Sequence, residues 1–299
     1  MFLLFVLPAL AGVALLGMVF DWLDFGSDDG PEGVELTGTE GADSLAGMEG
    51  PKMISGLSGA DTLEGMAGDD TILGGAGKDL IEGGAGNDSL SGLKGDDTLA
   101  GQAGDDRLNG GEGDDDIYGG TGDNTVFGND GYDIIAGWDG ADSLVGGAGT
   151  DFILGGAGAD TLLGDAGHEV LSGTLAVTVE AFAKDTDTTA DKMHGGAGND
   201  TFFVNAGDIA CGDYDEDTFN VLVRDDGAAV SYLIDFDPEE DEVVAVLPEG
   251  YAGAGEVTIE EIATGIEGAG MVVVVDDNPI AALPLGVVVT PDQVTLLQA

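Results

Sequence analysis

An all-β solenoid, built of very short parallel strands stacked into two opposed sheets, is the fold class this sequence predicts for most of its length. Three observations predict it. Residues 38–172 divide into fifteen nine-residue slices without insertion or deletion, from GTEGADSLA (38–46) to GDAGHEVLS (164–172). The first and fourth positions of every slice are Gly, as in Gly38 and Gly41 or Gly164 and Gly167. The eighth is always aliphatic, from Leu45 and Ile54 to Leu162 and Leu171, and the sixth is Asp except at Lys52, Asn124 and Glu169.

Each column has a physical reading. Two glycines three apart allow a tight turn with positive φ and leave carbonyls uncovered. A single aliphatic residue between two variable ones reads as a strand with one side chain inward and its neighbours outward. A slice is therefore expected to be a six-residue turn and a three-residue strand, too small to bury its apolar residue alone. Stacking on neighbours solves this, and successive strands sent to opposed sheets make one coil from two slices. At about 4.8 Å per coil the array would form a rod of about 35 Å.

Stacking also sets the chemistry. Sixth-position residues of alternate slices fall into rows: Asp43, Asp61, Asp79, Asp97, Asp115, Asp133 and Asp151 in one, Asp70, Asp88, Asp106, Asp142 and Asp160 in the other, interrupted at Asn124. Carboxylates about 5 Å apart repel by about 1 kcal/mol in bulk water and by more at a protein's effective dielectric. Such rows need a counter-ion. A carboxylate with several turn carbonyls is a hard, all-oxygen site, which favours calcium over magnesium or zinc.

GGAGNDSLS (83–91) and GGAGKDLIE (74–82) resemble the GGxGxDxUx nonapeptide of RTX (hemolysin-type) calcium-binding repeats. The resemblance covers residues 38–172, GGAGNDTFF (195–203, with Asp200) and a degenerate GDYDEDTFN (212–220). It implies a right-handed parallel β-roll with calcium held between turns by the sixth-position Asp residues. The job stays open, since these repeats accompany toxins, proteases, lipases, adhesins and surface-layer proteins.

In chain order, residues 1–20 carry no charge and are long enough for a membrane span, although Pro8, Gly12 and Gly17 weaken a helix. With no basic n-region, they read as an anchor or atypical export segment, the alternative being a hydrophobic cap on the first coil. Residues 21–37 read as an acidic linker whose Trp22, Leu23 and Phe25 suit either a membrane interface or the first coil. Residues 38–220 form the roll. Within it Lys52 removes a site and is expected to pair with Asp70, Asn124 weakens one, and Glu169 lengthens one. Outward positions turn apolar from Tyr118 onward (Phe127, Ile134, Val145, Phe152, Leu154, Leu163), a face that wants a cover. An insertion at 173–194, with alternating Leu175, Val177 and Val179, is one candidate cover; the C-terminal region and a separate protein are the others. Residues 221–299 lose the period and read as a small β-rich domain capping the open end of the roll. Their apolar VTLLQA ending resembles type I secretion signals.

Composition bounds the function. A net charge of −52 with seven basic residues excludes nucleic acid as a partner. Cys211, the single cysteine, rules out an intrachain disulfide. No HExxH, G-x-S-x-G or Cys/His quartet is present, and His168, His194 and Cys211 read as structural. Asp pairs such as Asp69-Asp70, Asp96-Asp97 and Asp105-Asp106 read as a calcium ligand beside a solvated neighbour. The expectation is a non-enzymatic calcium-binding rod, secreted or tethered at a Gram-negative cell surface, with a protein or cell-surface partner and membrane contact through residues 1–20. The alternatives are a secreted enzyme with its active site in 221–299, and an ice-binding rod, which the scattered Thr62, Thr71, Thr98, Thr125 and Thr161 do not favour.

Overall fold

A computed structural model describes residues 34–174, 189–223, 230–247, 257–261, 269–275, 278–284 and 291–298. The expectations for residues 1–20 and for Leu175, Val177 and Val179 lie outside these ranges. No helix among the described residues is long and apolar enough to cross a membrane.

Alternate slices alternate between two sheets. One starts with Val34–Thr37 and Lys52–Ser58, the other with Ser44–Ala46 and Thr62–Ala67, and among the described residues they reach fourteen and twelve strands. Within the array every pairing is parallel, and the register advances one coil per eighteen residues: Ile54 lies beside Ile72, Leu63 beside Ile81, Ile117 beside Ile135. This is the two-sheet parallel solenoid expected from the period. Val34–Thr37, within the stretch read as linker, supplies the first strand, with Leu36 beside Ile54 and packed on the core.

The core is the eighth-position column. Ile54, Leu63, Ile72 and their counterparts through Leu171 are fully buried, in one cluster that runs on to Val294. Each such side chain contributes about 2 kcal/mol. The strands, however, are mostly six residues long rather than three, as in Thr71–Ala76 and Leu80–Ala85. They run from the seventh position through the following glycine to the third position of the next slice, because pairing persists there: Gly84 lies beside Gln102 and Ala85 beside Ala103.

The two glycine columns serve different ends. Fourth-position Gly77 takes φ 140°, as a tight turn requires. The first-position glycines need no positive φ and serve close approach: a Cβ on Gly74 would stand 2.5 Å from Oδ2 of Asp79 and 2.9 Å from the Gly92 carbonyl of the next coil. Positive φ falls instead at the second position, even at Leu57, Met66 and Trp138.

Beyond residue 174 the nine-residue frame resumes at Asp191. Lys192–Ala197 pairs with Thr161–Gly167, and Met193 enters the core beside Leu162. The apolar outward residues from Tyr118 to Leu163 are half-buried. Tyr132 lies 5.7 Å from the Phe152 ring, and the Arg107 guanidinium lies 4.7 Å over Phe127.

The strand-rich C-terminal region continues both sheets. Glu242–Leu247 pairs in parallel with Thr218–Leu222 and Val294–Gln298. Ser231–Leu233 pairs in parallel with Asn278–Pro284, which then starts an antiparallel run through Ala269–Val275 to Val257–Glu261. Larger side chains fill the core here: Phe202 stacks on Phe219 with centroids 4.8 Å apart, and Phe236 meets Phe219 edge-on at 6.0 Å.

Candidate metal centre

The sixth position follows the last turn residue and precedes the strand, and its side chain reaches under the turn to the backbone of the preceding coil. Asp61, Asp70, Asp79, Asp88, Asp97, Asp106, Asp115, Asp133, Asp142, Asp151, Asp160 and Asp200 are all at most 2 % exposed. Their Oδ1 atoms form ladders along the rod. The Asp61 N–H donates to Asp79 Oδ1 at 2.8 Å, Asp79 to Asp97 at 2.7 Å and Asp97 to Asp115 at 2.7 Å. In the second row Asp70 donates to Asp88 at 2.7 Å, Asp88 to Asp106 at 2.7 Å, and Asp142 to Asp160 at 2.8 Å. The rows expected from an eighteen-residue coil are thus hydrogen-bonded columns.

The second oxygen is different. Among the described residues, Oδ2 of Asp61, Asp70, Asp79, Asp88, Asp97, Asp106, Asp115, Asp133, Asp142, Asp151 and Asp200 is buried and has no hydrogen-bond partner. Burying an ionised oxygen with no compensating charge is costly. Asp43, in the first coil, is the exception: its Oδ2 accepts from the Thr39 N–H at 2.5 Å and hydroxyl at 2.9 Å, and it is only half-buried.

Two substituted slices reveal what faces that oxygen. At Asn124, Nδ2 takes the place beside the first-position glycine that Oδ2 takes elsewhere, and donates to the fourth-position Gly122 carbonyl at 3.0 Å. At Lys52, the buried ammonium donates to the Glu49 and Gly50 carbonyls at 2.9 and 2.6 Å. Lys52 therefore does not reach across to Asp70 with its side chain, as the sequence suggested; only its backbone N–H does, at 2.6 Å to Oδ1. The turn carbonyls lie within closer reach of the ammonium. Where the sixth residue is Asp, the same carbonyls and Oδ2 form an all-oxygen cradle for positive charge. The donor set suits a hard cation such as calcium.

The family model described as the RTX calcium-binding nonapeptide repeat (4 copies) matches residues 55–90, 82–117, 91–126, 118–153, 145–175 and 185–208. Residues 55–175 and 185–208 are thus RTX calcium-binding nonapeptide repeats. No curated protein matches the chain. Among solved structures, the extracellular lipase LipA from Serratia marcescens is similar at 16% identity over 92% of this chain and 41% of that one, with a TM-score of 0.17. The chain thus spans well under half of that lipase, and so low a score carries no argument about either.

Electrostatics in the RTX columns follow burial. It pushes Asp88, Asp97, Asp106 and Asp151 up to about 6, and Asp115 and Asp133 up to about 7; the backbone N–H bond opposes the rise at each, and neighbouring carboxylates add to it at all but Asp151. Glu169 is raised by burial and by Asp200, to which its own N–H donates at 2.9 Å.

The RTX columns extend beyond the residues picked out from sequence. The Asp160 N–H donates to Asp191 at 2.8 Å and Asp191 to Asp208 at 3.0 Å; Asp200 donates to Asp217 at 2.9 Å and Asp217 to Asp241 at 3.1 Å. Running the frame of GGAGNDTFF back nine residues would have found Asp191 and Met193; Asp208 and Asp241 sit outside any intact slice. The fifth-position residues, read as solvated, make a second ladder of opposite sense. Asp69 Oδ1 accepts the Asn87 N–H, Asn87 Oδ1 that of Asp105, and Asp105 Oδ1 that of Asp123, each at 2.9 Å. On the opposite edge Asp96 Oδ1 accepts the Asp114 N–H at 3.2 Å in the same sense, and His168 Nδ1 accepts the Asn199 N–H at 2.9 Å. Cys211 is buried, and burial together with Asp213 and Asp235 pushes its thiol well up, which suits no nucleophile.

Proposed function

We propose that this chain is a calcium-dependent structural rod, exported from a Gram-negative cell, held at or beyond its surface, and acting by presenting a rigid face to a protein or cell-surface partner without catalysis. One observation carries the reading: buried carboxylate oxygens without partners sit under turn carbonyls, and the slices that lack the carboxylate put an N–H donor there instead. Calcium would be held by the sixth-position carboxylates from Asp61 to Asp160 and by Asp200. Asp43 has its outer oxygen occupied by Thr39 and would contribute least. The ion would supply charge neutralisation and cross-links between coils. The residues themselves position Oδ2 through the Oδ1 ladder, exclude water through burial, and leave room through the first-position glycines. Lys52 gives the second slice its own positive charge, so that slice needs no ion. Residues 221–299 would close the end of the roll, and the apolar outer faces around Phe127 on the fourteen-stranded sheet and Phe152 on the twelve-stranded sheet are the regions suited to a partner.

Calorimetry on the full chain tests the binding. Many calcium ions per chain with a weak magnesium response are expected; one or two ions, or an equal magnesium response, would overturn the multi-site reading. Fractionation of the producing cells tests the location, since retention of the folded protein in the cytoplasm contradicts export. Turnover of an ester, peptide or glycoside substrate, abolished by a point substitution within 221–299, would replace the rod with an enzyme.

A further inference from the structure

On the outer face of the fourteen-stranded sheet, near the C-terminal end of the array, three chemically unlike side chains converge. His194 and Cys211 are cross-strand partners on Lys192–Ala197 and Ile209–Tyr214. Asp213 lies two residues beyond Cys211. Its Oδ1 accepts from Cys211 Sγ at 3.3 Å, and its Oδ2 stands 3.7 Å from His194 Nδ1. One ligand atom from each lies within 4.8 Å of the other two. We infer that His194, Cys211 and Asp213 form a site for a zinc-class transition metal, separate from the calcium columns.

The spacing suits that ion. Zinc binds sulfur at about 2.3 Å and nitrogen or carboxylate oxygen at about 2.0–2.2 Å, so tetrahedral ligand atoms stand about 3.3–3.6 Å apart. Sγ lies 3.3 Å from Oδ1 and Nδ1 lies 3.7 Å from Oδ2, so each neighbour already meets one oxygen of the Asp213 carboxylate, and with one ligand atom from each residue the set spans at most 4.8 Å and would contract by about 1 Å around the ion. The donor set excludes the array's own ion: calcium takes oxygen ligands, whereas thiolate and imidazole select zinc, copper or cobalt. The surroundings fit as well. The residue beside Asp213 on the neighbouring strand is Gly196, which puts no side chain against the carboxylate from that position. Asp235 is a positioning residue: its Oδ1 accepts the Gly212 N–H at 2.9 Å and its Oδ2 the Asp213 N–H at 2.5 Å, which fixes the turn that carries Asp213. Leu163 flanks His194 on the other side with an apolar wall. Cys211 is buried while His194 and Asp213 are partly exposed, so the metal has an entry path and a fourth position open to water. On binding, the thiol proton passes to solvent and sulfur takes the metal in its place. The ion would clasp two adjacent coils of a chain whose single cysteine cannot form an internal disulfide.

The test is a cobalt titration of the full chain in saturating calcium, which keeps the oxygen sites filled. One equivalent of cobalt is expected to give a thiolate-to-cobalt charge-transfer band that zinc then abolishes. Cys211→Ala should remove the band, and His194→Ala should weaken cobalt affinity at least tenfold while leaving calcium-dependent circular dichroism unchanged. Absence of the band, or an affinity unchanged in His194→Ala, overturns the site. Because His194 is half-exposed, that variant decides the matter even should Cys211→Ala fail to fold.

Discussion

Acid should fold the calcium-free chain. In the rod, Asp88, Asp97, Asp106 and Asp151 titrate at about 6 and Asp115 and Asp133 at about 7, because burial disfavours their charged form. An unfolded Asp titrates at about 3.9. The folded state therefore holds more protons than the unfolded one between about pH 4 and 7. Stability from these groups is complete below pH 4 and is lost as pH rises through 6 and 7. Each extra bound proton gives a slope of about 1.4 kcal/mol per pH unit, so even three titrating together change stability by about 4 kcal/mol per unit. That is enough to move a marginal solenoid across its midpoint. The assay is circular dichroism on chain stripped of calcium by dialysis, between pH 7.5 and 5, with sedimentation to confirm that it stays monomeric above its pI of about 4.1. A β signal that grows steeply on acidification is expected. In saturating calcium the signal should be flat over the same range, because the ion takes the proton's place. A double variant, Asp115→Asn with Asp133→Asn, should fold more readily without calcium at pH 7 and bind fewer ions. A calcium-free signal independent of pH, or greatest at pH 7.5, would refute the reasoning.

Three further outcomes follow from named contacts. Lys52→Ala should destabilise the first coils by about 1–3 kcal/mol by stranding the Glu49 and Gly50 carbonyls, whereas Lys52→Asp should add about one calcium ion per chain by calorimetry. Gly74→Ala should cost about 1–3 kcal/mol and weaken calcium binding, because its Cβ would press on Asp79 and on the Gly92 carbonyl; the exposed Ala76→Ser is the control, measured by thermal melting in calcium. Asp105→Ala should cost about 1 kcal/mol by breaking the fifth-position ladder at the Asp123 N–H, yet leave calcium stoichiometry unchanged, unlike Asp106→Ala in the adjacent column.

Much of the array was legible because a solenoid repeats its own constraints. The eighth-position column from Leu45 to Leu171 is the core, and an eighteen-residue coil follows from the period alone. What the period could not reveal is which force each conserved-looking column answers to. Gly74 and Gly77 look alike in sequence, but one makes room for a carboxylate and the other bends the turn. Asp105 and Asp106 look like one acidic pair, but they serve ladders of opposite sense. Charge alone pairs Lys52 with Asp70, whereas the ammonium bonds the turn carbonyls beside it, which a reading of side chains does not show. Asp208 and Asp241 enter the columns only through strands that leave the nine-residue frame, and the cluster of His194, Cys211 and Asp213 depends on cross-strand register between degenerate slices.

The central claim is that the carboxylate columns make folding conditional on calcium. Circular dichroism of the full chain at pH 7.5, first in excess chelator and then across a calcium titration into the millimolar range, tests it most directly. The buried, unpartnered oxygens of eleven column aspartates predict a largely disordered spectrum in chelator and a steep, cooperative gain of β signal with calcium. A β-rich spectrum already complete in chelator at this pH, and unchanged by added calcium, would contradict the account.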